Sequence, residues 1–130
     1  MEKTFEFLKK AGTWYIATVE DDQPRVRPFG AIAIIDGKLY TCTNNTKKVY
    51  KQLLENPKAE ISGMAGGKWI RLECKLIPDL RDEARAAMLD ANPGLGNMYH
   101  LGDGIFEVLR FEDCTATFCS FTDEPEVETF

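Results

Sequence analysis

The stretch from Arg25 to Lys48, RVRPFGAIAIIDGKLYTCTNNTKK, discloses more of this chain than any other. Its first part follows the two-residue period of a strand. Arg25, Arg27, Phe29, Ala31 and Ala33 fall on one face, and Val26, Pro28, Gly30, Ile32 and Ile34 on the other. Pro28 cannot donate to a ladder, which predicts an edge strand or a bulge. Asp36-Gly37 is a two-residue hairpin signal, and Lys38 to Thr43 is the returning strand. The run Thr43-Asn44-Asn45-Thr46-Lys47-Lys48 then reads as a helix start, with Thr46 as the N-cap of a helix to about Glu55. The first N–H groups of a helix lack backbone partners and carry partial positive charge. Hydroxyls, amides and two lysines placed there make a seat for a phosphate group.

Upstream, Phe5, Leu8 and Gly12 mark a short amphipathic helix, and Trp14 to Val19 is a strand rich in aromatic and β-branched residues. The polar turn Glu20 to Pro24 joins that strand to the arginine-bearing one. Downstream, Asn56-Pro57 ends the lysine-bearing helix, and Ala59 to Met64 and Lys68 to Ile77 form a hairpin about Ala65-Gly66-Gly67. In its second strand Trp69, Arg71, Glu73 and Lys75 alternate with Ile70, Leu72, Cys74 and Leu76, one wet face against one buried face. Asp79 is expected to cap a helix over Leu80 to Ala91 with Asp82 at N3, stopped by Asn92-Pro93-Gly94. Ile105 to Phe111 and Cys114 to Phe121 read as two closing strands around Glu112-Asp113, and the acidic tail from Asp123 reads as solvated, with Phe130 able to dock. Six or seven antiparallel strands with helices between them predict a mainly β fold, a small barrel with peripheral helices, since closure removes exposed edges.

The 130 residues, 44% hydrophobic and 28% charged, have the size and balance of one domain, residues 1–130. A net charge of −5 argues against nucleic acid or an anionic membrane surface as a partner. The charge is unevenly spread. Arg25 to Lys75 holds ten basic and four acidic residues, a net of +6, which leaves −11 for the flanks. That distribution fits a local anion site in an acidic protein. No apolar run approaches the roughly 20 residues a spanning helix needs, and a cytoplasmic protein is expected. Cys42, Cys74, Cys114 and Cys119 include no C-x-x-C pair, so buried free thiols are expected rather than a metal site or a dithiol. His100, the lone histidine, stands in a loop and reads as incidental.

Five stretches, Gln23 to Gly30, Gly37 to Tyr40, Thr43 to Lys48, Leu54 to Pro57 and Lys68 to Leu72, resemble in order and spacing the pyridoxamine 5′-phosphate oxidase superfamily of split-barrel flavin-binding proteins. The resemblance implies a six- to seven-stranded antiparallel split barrel, FMN as cofactor, and a homodimer holding flavin between its subunits. It places the strand from Arg25 to Gly30, with Arg25, Arg27 and Pro28, beside the flavin. Thr43, Thr46, Lys47 and Lys48 would hold the phosphate, and Trp69 and Arg71 would approach from a neighbouring strand. The chain looks closer to short members of the family, of the general-stress and nitroimidazole-reductase types, than to the vitamin B6 oxidases. Its last residues, Phe121 to Glu126, lack the arginine- and histidine-bearing segment of the vitamin B6 oxidases, which speaks against that activity.

The function implied is an FMN-dependent oxidoreductase that reduces a small acceptor with electrons from NAD(P)H. Two other readings compete with it: a non-catalytic flavin-binding or sensing module, and a structural barrel without ligand. Some relatives bind haem instead of flavin, a lesser alternative.

Overall fold

The computed structural model describes residues 1–130. Helix α1 (Glu2–Ala11) leads into strands β1 (Trp14–Glu20), β2 (Gln23–Phe29), β3 (Ala33–Ile35) and β4 (Lys38–Asn44). Helix α2 (Lys48–Glu55), strands β5 (Lys58–Ala65) and β6 (Lys68–Asp79), and helix α3 (Asp82–Ala91) follow. A 3-10 turn (Pro93–Asn97), a long strand β7 (Phe106–Cys119) and a short β8 (Glu126–Thr129) complete the chain. All pairings are antiparallel, in the order β2-β1-β5-β6-β7-β4-β3, with β8 beside the second half of β7.

Eight strands replace the expected six or seven, and the sheet is not closed into a barrel. The expected strand from Arg25 to Ile35 breaks at Gly30 to Ile32, and its halves go to opposite edges of the sheet as β2 and β3. Two contacts hold the crossover. A Cβ on Gly30 would lie 2.9 Å from the Gly12 carbonyl oxygen, and the Thr41 hydroxyl donates to the Ala31 carbonyl at 2.8 Å. Closure is thus not how this fold manages its edges. One edge strand, β2, carries Pro24 and Pro28, where a missing N–H costs no ladder bond.

Glu112-Asp113 does not turn the chain. Asp113 takes φ 51° and is absorbed as a bulge in the continuous 14-residue β7, where the register with β6 shifts between Glu73 and Lys75. The acidic tail is not simply solvated: Glu126 to Thr129 pair with β7. Phe130 docks as expected, exchanging backbone hydrogen bonds with Cys114 at 2.8 and 3.0 Å. Glu128 accepts the Thr4 N–H at 3.0 Å and the Thr4 hydroxyl at 2.5 Å, so the tail supplies the cap that α1 lacks.

The helices divide the two faces of the sheet. Leu8 of α1 and Val49 and Leu53 of α2 pack on the inner face against Ile16, Ile61, Ile70, Leu72, Leu76, Leu109 and Phe111. Trp14 fits there because Gly63 faces it, and a Cβ at Gly63 would stand 3.0 Å from the Trp14 Cβ. Ala84 and Met88 of α3 cover the other face, against Ala33, Ile35, Tyr40 and Val108. That cover ends at β3, β4 and the first half of β7. The outer face of β1, β5 and β6 carries no helix.

Candidate functional site

Residues 44–48 start α2 differently from the expected capping. The Asn44 side-chain oxygen accepts both the Thr46 N–H at 3.0 Å and the Thr46 hydroxyl at 2.5 Å. Engaged in that local turn, Thr46 does not cap the helix. The N-cap position falls on Lys47, with extended backbone and no side-chain cap, and Lys48 is the first helical residue. Both lysines are exposed at the positive end of the helix, whose first turn contains no acidic residue. Thr43, one residue before Asn44, keeps its hydroxyl oxygen buried with no hydrogen-bond partner in the chain. A buried hydroxyl left unpaired costs on the order of 1–3 kcal/mol, which marks this position as one that an outside group can complete.

Arg25 and Arg27 face the same side as α2, because they pair with the buried residues Thr18 and Ile16 of β1. Arg25 is half-exposed and reaches Glu20 at 2.9 Å. Arg27 lies deeper and donates to the Thr18 hydroxyl and to the Gln52 side-chain oxygen, each at 2.7 Å. The Thr18 hydroxyl donates to that same Gln52 oxygen at 2.5 Å, and the Gln52 amide donates to Glu20 at 3.3 Å. Burial, and after it the charge of Arg25, lowers the affinity of the Arg27 guanidinium for its proton. Glu20 is held below the usual carboxylate range by its bonds to Arg25 and Gln52, with a smaller contribution from Lys48. Arg25, Arg27 and α2 are therefore one assembly on one face.

Thr18, Glu20 and Gln52 belong to this assembly and were not legible as site residues. The signal for two of them lies in their periodicity. Thr18 falls two positions after Ile16 on the buried side of β1, and Gln52 falls three after Val49 on the buried side of α2. A polar residue in an apolar stripe needs a partner, and each is the other's.

Trp69 and Arg71 lie elsewhere. Arg71 aligns with Ser62 of β5 and Thr117 of β7, and Ser62 aligns with Tyr15 of β1, a row that points away from the inner core. Pro28 faces Tyr15 across β2 and belongs to this outer row as well. Arg71 forms no ion pair with Glu60 or Glu73. Trp69 is half-buried, its ring 5.0 Å from that of Phe121, which is 88% exposed. Within one chain, then, the arginines and α2 occupy the inner face and Trp69, Arg71 and Pro28 the outer one.

Other ionisable groups serve the fold. The Tyr40 hydroxyl donates to the buried Asp79 at 2.8 Å, and Arg81 donates to the same carboxylate at 2.8 Å. Asp79 is the last residue of β6 and not the expected helix cap; the N-cap position of α3 falls on Arg81. Arg81 in the first place holds the Asp79 carboxyl far below the usual range. Cys42, Cys74 and Cys114 are buried free thiols, and burial pushes Cys42 and Cys114 up to about 12. His100 hydrogen-bonds only within its own loop, to the Leu101 carbonyl at 3.1 Å. No helix is long and apolar enough to cross a membrane.

Comparison with known proteins gives this geometry a context. No protein of curated function matches the chain. A solved NimC/NimA family protein from Clostridium acetobutylicum is 50% identical over 100% of this chain and 92% of its own, with a TM-score of 0.98. General stress protein 26 from Bacillus anthracis shares the fold at 17% identity, with a TM-score of 0.78 over 99% of this chain and 97% of its own. A heme binding protein from Mycobacterium smegmatis shares it at 17% identity and a TM-score of 0.73, over 92% of this chain and 53% of its own. The family model described as pyridoxamine 5′-phosphate oxidase matches residues 1–99, about three-quarters of the sequence and every strand from β1 to β6. On that match the chain belongs to the pyridoxamine 5′-phosphate oxidase family, whose members share a flavin-binding fold.

Proposed function

We propose that this protein binds FMN and uses it to reduce a small acceptor with electrons from NAD(P)H, working as a homodimer with flavin between the subunits. The observation that carries the reading is the unpartnered buried Thr43 hydroxyl beside a helix start that bears two free lysines and no capping side chain. A phosphate monoester supplies what that arrangement lacks: acceptor oxygens for the hydroxyl and the free N–H groups, and negative charge for Lys47 and Lys48. Thr43, Thr46, Lys47 and Lys48 are assigned to the phosphate. Arg25 and Arg27 bound the same inner face along β2, with Arg25 the freer of the two.

A bound flavin carries the redox chemistry itself, and the chain binds it, orients it and excludes water. Trp69, Arg71 and Pro28 serve the same reading from a second subunit. On the outer face they cannot meet their own chain's α2, but a partner's outer face could be brought to it. All 130 residues then form one flavin-binding unit.

The test is the absorbance spectrum of purified protein incubated with FMN and freed of excess by gel filtration. Stoichiometric retained flavin, lost in Lys47→Ala/Lys48→Ala, supports the seat, and bleaching by NAD(P)H with reoxidation by an added acceptor supports turnover. Retention without bleaching assigns a binding module in place of an enzyme. A colourless protein that retains nothing overturns the reading.

A further inference from the structure

The free Thr43 hydroxyl has an acceptor close by that it does not use. In the β4–β7 pairing Thr43 stands directly opposite Glu107, and both are buried on the inner face, which Leu39 of β4 and Leu109 of β7 also line. Directly opposed residues of an antiparallel pair hold their Cβ atoms about 4.5–5.5 Å apart, within reach of a hydroxyl-to-carboxylate hydrogen bond. The hydroxyl nonetheless has no partner in the chain. Both carboxylate oxygens of Glu107 are engaged elsewhere. The Tyr50 hydroxyl donates to Oε2 at 3.0 Å, and Nη2 of Arg85 donates to Oε1 at 3.2 Å.

The two donors differ in what they secure. Tyr50 lies in the first turn of α2, so its bond fastens the start of the helix to β7. Burial in the first place, and then the bond to Glu107, raises the Tyr50 hydroxyl above its usual range, and it stays a donor. Arg85 comes from α3, on the opposite face of the sheet, and reaches past the start of β7. On the way it donates to the carbonyls of Phe106 at 3.1 Å and Leu80 at 2.7 Å and to Asp82 at 3.1 Å, so its guanidinium is fixed in place. A buried carboxylate opposite Thr43 is a liability to an anion seat. Its charge repels the ligand, and its oxygens compete for the same hydroxyl. Arg85 removes both faults, since it supplies the opposite charge and draws Oε1 away from Thr43.

We infer that Arg85 is a positioning residue of the anion seat: acting through Glu107, it keeps the Thr43 hydroxyl free and compensates the carboxylate, so that a phosphate group is received beside Lys47 and Lys48. The inference rests on the FMN reading above and adds to it a residue from α3, an element the seat does not otherwise involve. Compensation differs from an ordinary structural ion pair in one respect. Where a pair matters for what it holds together, loss of either member or of both harms the seat. Where Arg85 compensates a charge, its loss matters only while the carboxylate is there.

The experiment is a fluorescence titration of FMN with the full-length protein and three variants, with urea unfolding of each alongside. Arg85→Gln leaves the Glu107 charge uncompensated and is expected to raise the Kd for FMN by about 10- to 100-fold. Glu107→Gln keeps an acceptor for Tyr50 and removes the charge, and it is expected to bind FMN at least as tightly as wild type. Arg85→Gln/Glu107→Gln has no ion pair at all, yet is expected to return to within about threefold of wild type. Should Arg85→Gln fail to fold, Glu107→Gln decides the matter alone. Loss of FMN affinity in Glu107→Gln or in the double variant, or an Arg85→Gln that binds like wild type, overturns the role of Arg85 while leaving the flavin. A wild type that binds no FMN overturns the flavin reading, and the role of Arg85 with it.

Discussion

The two faces of β6 differ in how their groups are satisfied. On the inner face Ile70, Leu72 and Leu76 are fully buried, and the polar residues of the neighbouring β1 and α2, Thr18 and Gln52, are paired with each other and with Arg27. On the outer face Arg71 and Glu73 are exposed and have no ion-pair partner, and Glu73 stands opposite Glu60 across the ladder. A few ångströms of backbone separate a face finished within the chain from one that is not. The inner face holds the fold together, and the outer face of β5 and β6 leaves its charged side chains exposed.

That contrast breaks most sharply at adjacent residues. Leu72→Ala opens a cavity in the inner core and is expected to cost about 2–5 kcal/mol in urea unfolding. Arg71→Ala, one residue away, should change stability by no more than about 0.5 kcal/mol. Comparable losses at the two positions would show that the outer face is as structural as the inner. Next in size is Asp79, where α3 covers part of the outer face. Asp79→Asn removes the carboxylate shared by the buried Tyr40 hydroxyl and Arg81, at about 1–3 kcal/mol. Because the folded-state carboxyl is depressed, its stabilisation is present above the ordinary carboxyl value of 3.8 and is lost as pH falls below it. The wild type should therefore lose stability more steeply than Asp79→Asn in unfolding titrations below about pH 4. Gln52→Leu strips the inner assembly of its central acceptor and should cost about 1–2 kcal/mol by thermal denaturation, leaving Arg27 short of one bond. The last effect is read on the site and not on stability: Trp69→Ala should weaken retention of FMN in the gel-filtration assay. Unchanged retention there would remove Trp69 from the site.

How much could be read beforehand follows the same division. Alternation placed the inner and outer faces of β6 correctly, because a two-residue period is local information. The lysine-bearing helix was legible for the same reason, since its signals lie within a few consecutive residues. The break at Gly30 to Ile32 was not, because the approach of Gly30 to the Gly12 carbonyl is a tertiary contact between distant segments. Neither was the continuity of β7, since an Asp with positive φ serves a hairpin and a bulge equally well. The helix caps were misplaced by a residue or more where Thr46 and Asp79 found nearer or better partners, Asn44 in one case and Tyr40 with Arg81 in the other. Opposition of Thr43 to Glu107 became visible only once the pairing of β4 with β7 was known, a relation between strands.

Strand β7 pairs with β6 along most of its length, with β4 through its first half and with β8 through its second, so the sheet depends on an element made late. On the ribosome β3 and β4 emerge early, yet Cys42 waits for Val108 and Thr43 for Glu107. At synthesis rates of about 5–20 residues per second, that delay is roughly 3–13 s. During it an apolar hairpin presents an open edge with no neighbour. The nascent chain is thus most vulnerable to mispairing just before its last quarter appears, and a chaperone that shields residues 33–44 over that interval would raise its yield more than one acting on the finished protein.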